Sequence, residues 1–511
     1  MQFSYSALQT KWGSIFLTLF FIALFPAITL ANNLQITQVD LVDNASNLPY
    51  NNIKFDISWE NSWRASSAPG NWDAVWVFAK FKVNTGNWQH ATLNYVNGTA
   101  ASDGHTEPGG ATIETSSDGK GMFIYRASNG TGNISWSDAK VRWNYLADGV
   151  PYGSQVEIRV FGIEMVYIPQ GAFTAGSGGT GDDEFTMTRI NTGNSTQAPV
   201  STGGTPGYEG GYPFGQTAPD FASWPNGFDA FYCMKYEMSE SQVVSFFNTL
   251  TPAQKLVRDI TGDQFTYKGK NTDMEVERNT VAWTSGDATT SAPDRACGFI
   301  SLGDGLAYAD WSGLRPFTDL EIEKLARGPV APVADEFAWG TTNIFLWTNY
   351  ILQDVGLPTE TVTNPAASRG NSNIIGTNDN INGPVRCGLF AYAAPNQTRE
   401  ESGASYYGVM ELSGNVAERC VTIAYPEGRR FTGSHGDGSL GVVISVSGQP
   451  TEGERTNIDW PNPSYAKGAD LHGGSFVNGN DRATISNRYG IDQPHVWRLS
   501  WRGWRGVRTA P

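Results

Sequence analysis

Apolar and polar residues alternate, or nearly so, in four stretches of the first third of the chain. These are residues 52–59 (NIKFDISW), 74–83 (AVWVFAKFKV), 120–127 (KGMFIYRA) and 155–163 (QVEIRVFGI). A period of two predicts strands. Turn-forming runs such as Asn84-Thr85-Gly86 and Asn129-Gly130-Thr131-Gly132 separate them. Several short strands at this spacing indicate an all-β sandwich over residues 32–163. Further on the period changes. Val243, Phe246, Phe247 and Leu250 recur at helical spacing behind Ser239, which predicts a helix over 239–250 with a serine cap. Leu320, Ile322 and Leu325 do the same behind Thr318, and Glu321 three residues on completes a capping box for a helix over 318–327. Residues 174–225 are poor in charge and rich in Gly, Ser and Thr, as in an insertion or a long surface loop.

The first residues set the compartment. Lys11 precedes an apolar run, Ile15 to Ile28, and Thr29-Leu30-Ala31 gives a small-residue cleavage site. The run is shorter than the roughly 20 residues that a membrane span needs. It reads as a signal peptide cleaved after Ala31. No later stretch is apolar enough to span a membrane. The expected product is secreted or held at the cell surface, with no transmembrane segment in the mature chain.

Composition narrows the classes. With 40% hydrophobic and 12% aromatic residues the chain can bury a large core, and 58 glycines with only 17% charged residues suit a β-rich or loop-rich fold. A net charge of −15 excludes nucleic acid as the main partner, because that affinity rests on Lys and Arg neutralising phosphates. Gly176 to Gly181 matches a dinucleotide-binding pattern, but Asp182-Asp183-Glu184 follows and would repel a pyrophosphate, so no nucleotide is expected. Seven tryptophans from Trp59 to Trp143 serve either core packing or sugar stacking, and core packing is the commoner use. Cys233, Cys297, Cys387 and Cys420 permit two disulfides in any of three pairings. Cys233–Cys297 with Cys387–Cys420 is the pairing we expect, and buried free thiols are the alternative.

Five ordered motifs run from Met165 to Arg508. Met165 to Phe173 (MVYIPQGAF) opens the series, and Met234 to Ser239 (MKYEMS) follows. Next come Asp304, Ala307-Tyr308, Trp311, Gly313, Arg315, Thr318, Glu321, Glu323 and Ala326-Arg327-Gly328. Tyr407 to Glu418 (YGVMELSGNVAE) is fourth. His472 to Phe476 (HGGSF), Arg488 and Gly506-Val507-Arg508 close it. In this order they resemble the formylglycine-generating-enzyme, or sulfatase-modifying, family. The resemblance implies an α+β, loop-rich, C-type-lectin-like domain over 164–511, making the chain two-domain.

The same resemblance carries expectations about chemistry. The family's enzymes oxidise cysteine at a copper ion held by two cysteines shortly after the GGS motif. Asn478 and Ala483 stand at those positions here, and no cysteine follows Cys420. Copper is therefore not expected, since Cu(I) requires soft thiolates. Iron-dependent relatives use three histidines. His90, His105, His435, His472 and His495 show no HxxxH or HxH spacing, so iron is not expected. The family also wraps a structural calcium. Its matched ligands are the Glu411 and Glu418 side chains and the Gly414 and Val416 carbonyls, a sensible hard-oxygen set. A second calcium loop would fall at Asn373, Ile374 and Asp379. Asn478, Asn480, Asn487, Tyr489 and Trp497 match the face on which lectin-like relatives present ligand contacts. The expected function is a non-catalytic surface, structural or assembly protein, or a receptor for a carbohydrate or protein ligand, with self-assembly or surface partners. Two rivals stand beside it: an enzyme of the sulfatase-modifying and nonheme-iron superfamily with an unrecognised site, and a C-type-lectin-like diversified receptor.

Overall fold

The computed structural model describes residues 33–43, 48–196, 217–262, 268–346, 350–375, 381–396, 398–444, 450–464, 466–491 and 496–511. The expected signal peptide and Asp379 lie outside these residues. Strands hold 30% of the chain and helices 12%, so the β-rich expectation stands. The chain divides into two compact units. One takes in the chain up to Ser62 and Val75–Ile163; the other takes in Trp63–Ala74 and Glu164–Ala510.

In the first unit, Gln35–Val42, Asn51–Arg64 and Gly130–Trp143 form one sheet in that order. A second sheet runs from Val156–Ile168, as far as Ile163 in this unit, through Asp73–Val83 and Met122–Arg126 to Ala111–Thr115. The period-two pattern explains the pairing of faces. Ile53, Phe55, Ile57 and Trp59 point inward from the first sheet, while Val75, Val77, Ala79, Phe81, Ile158 and Val160 point inward from the second. All belong to one core. Each such side chain contributes roughly 1.5–3 kcal/mol by leaving water. Trp59, Trp76 and Trp143 are at most 1% exposed, so they pack the interior rather than present a sugar platform.

Two histidines of this unit are buried. His105 follows Gly104, whose left-handed φ of +78° ends the short helix Ala100–Asp103. Its Nδ1 accepts the Arg142 N–H at 3.0 Å. Burial lowers its pKa to about 4, against the opposing pull of Asp103. His90 is likewise held neutral, chiefly by burial and the nearby Lys80.

The second unit is mostly loop. Met165–Ile168 pairs antiparallel with Phe231–Met234, which pairs on its other edge with Gly506–Thr509. The last strand of the chain therefore returns to a neighbour of the first motif. A separate sheet sets Ala417–Val421 between Ala469–His472, antiparallel, and Arg502–Gly503, parallel. The four main helices are Glu240–Phe247, Pro252–Arg258, Leu302–Ser312 and Asp319–Arg327. Each opens with a reciprocal capping box: Ser239/Gln242, Thr251/Gln254, Ser301/Asp304 and Thr318/Glu321. Such caps are worth about 1 kcal/mol each. The first and last of these helices follow the sequence expectation. Gly305 is required for packing, since a Cβ there would lie 2.1 Å from the Trp504 indole.

Two boundaries differ from expectation. Trp63–Ala74 belongs to the second unit. Trp72 stacks on Tyr167 at 3.9 Å, and the Asn71 side-chain amide donates to the Tyr407 carbonyl at 2.7 Å. These contacts are far apart in sequence and invisible to a local pattern. The Gly/Ser/Thr-rich stretch also begins as structure, with Phe173–Ala175 paired to Thr188–Ile190. Among the described residues, no helix is long and apolar enough to cross a membrane.

The buried imidazole of His105 predicts acid sensitivity. A histidine kept neutral in the fold but free to charge when unfolded stabilises fully above the ordinary value of about 6.5. That contribution is lost as pH falls from 6.5 through about 4. Melting of the protein followed against pH should show this slope, and His105→Asn, which keeps an acceptor for Arg142, should flatten it.

Candidate functional site

The second unit buries many charged side chains and matches most of them. Nε and Nη2 of Arg498 lie 2.7 and 2.8 Å from the two oxygens of Asp304. Arg258 reaches Asp304 at 3.1 Å and Glu454 at 2.5 Å. Arg315 and Glu321 form a two-bond fork at 2.9 and 2.7 Å. Arg327 is held by Glu323 and Glu336. Arg488 lies 2.8 Å from Asp319 and 3.5 Å from Asp470, with His472 beside them. Each guanidinium in these groups faces one or two carboxylates.

Around Ala417–Val421 the balance fails. Glu237, Glu411 and Glu418 are all buried, and Arg505 is the guanidinium among them. Local structure places each one. Glu418 lies on the strand, opposite His472. Glu237 falls just before the Ser239 cap. Glu411 and Asn415 adopt left-handed backbone, with φ of +56° and +63°. Gly414 is left-handed at +93°, and a Cβ there would lie 2.2 Å from the Ser372 hydroxyl oxygen.

The bonds are specific. Arg505 Nε donates to Glu418 at 2.7 Å, and its two Nη groups donate to the Met234 and Met410 carbonyls at 2.8 Å each. Glu237 accepts the Val416 N–H at 3.0 Å and the Asn415 side-chain amide. Glu411 Oε1 accepts the Gly388 N–H at 2.8 Å, while its Oε2 is buried without a partner. Burial pushes all three carboxyls up. Glu237 rises well above the usual range, helped by Glu418 and Glu411, and Glu411 reaches about 7. Burial works against the charge on Arg505, but Glu418, Cys233 and Glu237 together more than offset this, and its pKa rises.

A carboxyl near 7 has the acidity of a general acid–base. A cleft of about 350 Å³ is lined by Trp224, Asn226, Asp229, Arg315, Glu321 and His435, among others, and by none of the three glutamates. The glutamate group ties loops together through its bonds.

The calcium expectation is tested by the same bonds. Glu418 faces a guanidinium, the Val416 N–H and Asn415 side-chain amide turn toward Glu237, and Glu411 Oε2 is buried without a partner. In the second loop, the Asn373 carbonyl accepts the Asn415 N–H at 2.8 Å and its side-chain amide donates to the Gly383 carbonyl at 3.1 Å. Ile374 is packed with Phe337, Trp339 and Ala483. Among the described residues no three His, Cys, Asp or Glu side chains converge as metal ligands.

The expected ligand surface does not assemble. Asn478, Asn487 and Tyr489 are 7%, 2% and 5% exposed, so three of its five members are interior. Asn478 accepts the Ser475 hydroxyl, Asn487 accepts the Tyr489 N–H, and Arg482 lies over the Tyr489 ring. Asn480 and Trp497 are at the surface, with Lys268 Nζ 3.7 Å from the centre of the Trp497 ring.

The disulfide expectation is also corrected. All four cysteines are buried free thiols. Cys233 shares an apolar cluster with Cys420 rather than with Cys297. Cys297 accepts the Asn279 side-chain amide, and the Cys387 thiol donates to the Glu237 carbonyl. Burial raises the pKa of each.

Glu237 and Arg505 were not picked out by sequence reasoning. The available signal was a charge between apolar neighbours at a strand end: Glu237 between Tyr236 and Met238, Arg505 beside Trp504. No protein-family model matches the chain, and no curated protein matches it.

Thiol titration checks the correction. Unreduced protein opened in denaturant should yield four reactive thiols per chain, and native protein almost none, because all four are buried. Two disulfides would yield none in either state.

Proposed function

We propose that the chain is an exported, non-catalytic binding or assembly protein built on a domain similar to the formylglycine-generating enzymes. One observation carries this reading: packing residues stand where that family holds copper. Asn478 is 7% exposed and its Oδ1 accepts the Ser475 hydroxyl at 2.6 Å. Ala483 is fully buried beside Phe337 and Trp339. Neither offers the soft ligand that Cu(I) chemistry requires. The chain's thiols lie on other elements, away from solvent. The leader-like residues 1–31 support export, and the β-rich first unit suits a carrier or spacer for the loop-rich domain. What this second unit would bind, a carbohydrate or a protein, meets it through exposed loops, not through a reaction cleft.

The test uses the secreted chain loaded with copper under reducing conditions and given a cysteine-containing peptide in air. The expected outcome is no stoichiometric copper by elemental analysis and no peptide oxidation above buffer. Tight stoichiometric copper with oxygen-dependent loss of the peptide thiol would overturn the proposal.

A further inference from the structure

We infer that Arg505 replaces a metal ion: its guanidinium is the permanent cation that fastens the 407–416 loop to strand Ala417–Val421, and this chain needs no calcium there. The inference is independent of whether the protein is catalytic. It starts from the contacts that a calcium ion would have to make. Calcium gathers carboxylate and carbonyl oxygens at about 2.3–2.6 Å. Arg505 already gathers that kind of donor set. Its Nε takes the Glu418 carboxylate at 2.7 Å, and its Nη groups take the carbonyls of Met234 and Met410 at 2.8 Å. Three segments are thereby joined by one planar fork: strand Phe231–Met234, the residue before Glu411, and strand Ala417–Val421.

Two further features point the same way. The Arg505 side chain is 0% exposed, and its neighbour Trp504 is packed on Gly305, so the guanidinium cannot swing aside without moving the core. The loop also turns donors inward. The Val416 N–H and the Asn415 side-chain amide both reach Glu237, so this part of the loop offers hydrogen-bond donors to a carboxyl rather than oxygens to a cation. A divalent ion sharing Glu418 would sit within a few ångströms of a guanidinium in a low-dielectric interior, where like charges repel strongly. An arginine fork supplies the same cross-link at fixed geometry, with no dependence on ambient metal.

The experiment takes the full mature chain and measures its melting temperature after chelation with EGTA and again in millimolar calcium chloride, alongside calorimetric titration with calcium. The expected result is the same melting temperature in both and no stoichiometric binding. Arg505→Met keeps the bulk and removes the charge. It should melt lower by on the order of 10 °C, and calcium should raise its melting temperature while leaving the parent unmoved. Stoichiometric calcium on the parent chain, with a melting temperature that falls on chelation, would overturn the inference. So would an Arg505→Met protein that melts like the parent. If that variant fails to fold, the parent's response to chelation and calcium still decides.

Discussion

A guanidinium taken out of water must have its N–H groups met by carboxylate or carbonyl oxygens, or its burial is costly. The second unit depends on this constraint more than on regular secondary structure. Its sheets are short and its four main helices run from seven to eleven residues, so backbone ladders alone cannot hold the long loops. Arg258, Arg315, Arg488, Arg498 and Arg505 are each under 3% exposed, and each bonds to a carboxylate from another element or another turn. Such pairs are poor sources of net stability compared with apolar packing. They are strong sources of specificity, because leaving either partner alone is costly.

The same constraint explains why the Glu237, Glu411, Glu418 and Arg505 group stands out. Elsewhere each guanidinium faces one or two carboxylates; here one guanidinium sits among three carboxyls, with Arg386 attracting Glu411 from further off. Burial is the main reason that all three pKa values rise, and for Glu237 the neighbouring Glu418 and Glu411 add to it. Deep burial and the bonds from Arg505 make this a fastening point for loops. A loop-rich domain with such fastenings can vary its outer surface without losing its frame, which suits a binding or assembly role.

Some of this was legible in the sequence. The strands of residues 52–163 followed from period-two patterning because one face of each meets a shared core. The helices after Ser239 and Thr318 followed from their caps, which are local chemistry. Near the C-terminus, Arg498 and Trp504 are interior, with Arg498 on Asp304 and Trp504 on Gly305. What failed was whatever depended on distant contacts. Trp63–Ala74 reads as part of the first unit until Trp72 is seen on Tyr167. Asn478, Asn487 and Tyr489 read as a polar surface, yet loops fold over them. Cysteine number could not distinguish thiols from disulfides, because proximity is a tertiary fact. Arg505 and Glu237 looked like ordinary charges until their burial was known.

The central claim is that matched buried charges hold the second unit, and the Arg315–Glu321 fork tests it most directly. Arg315→Met strands Glu321 in the interior, while Arg315→Met with Glu321→Gln removes both charges and keeps a side chain able to serve the Thr318 capping box. Chemical denaturation of the full chain should find the single variant destabilised by about 3–5 kcal/mol and the double variant substantially recovered. A single variant within about 1 kcal/mol of the parent, or a double variant in which the two losses simply add, would contradict the account.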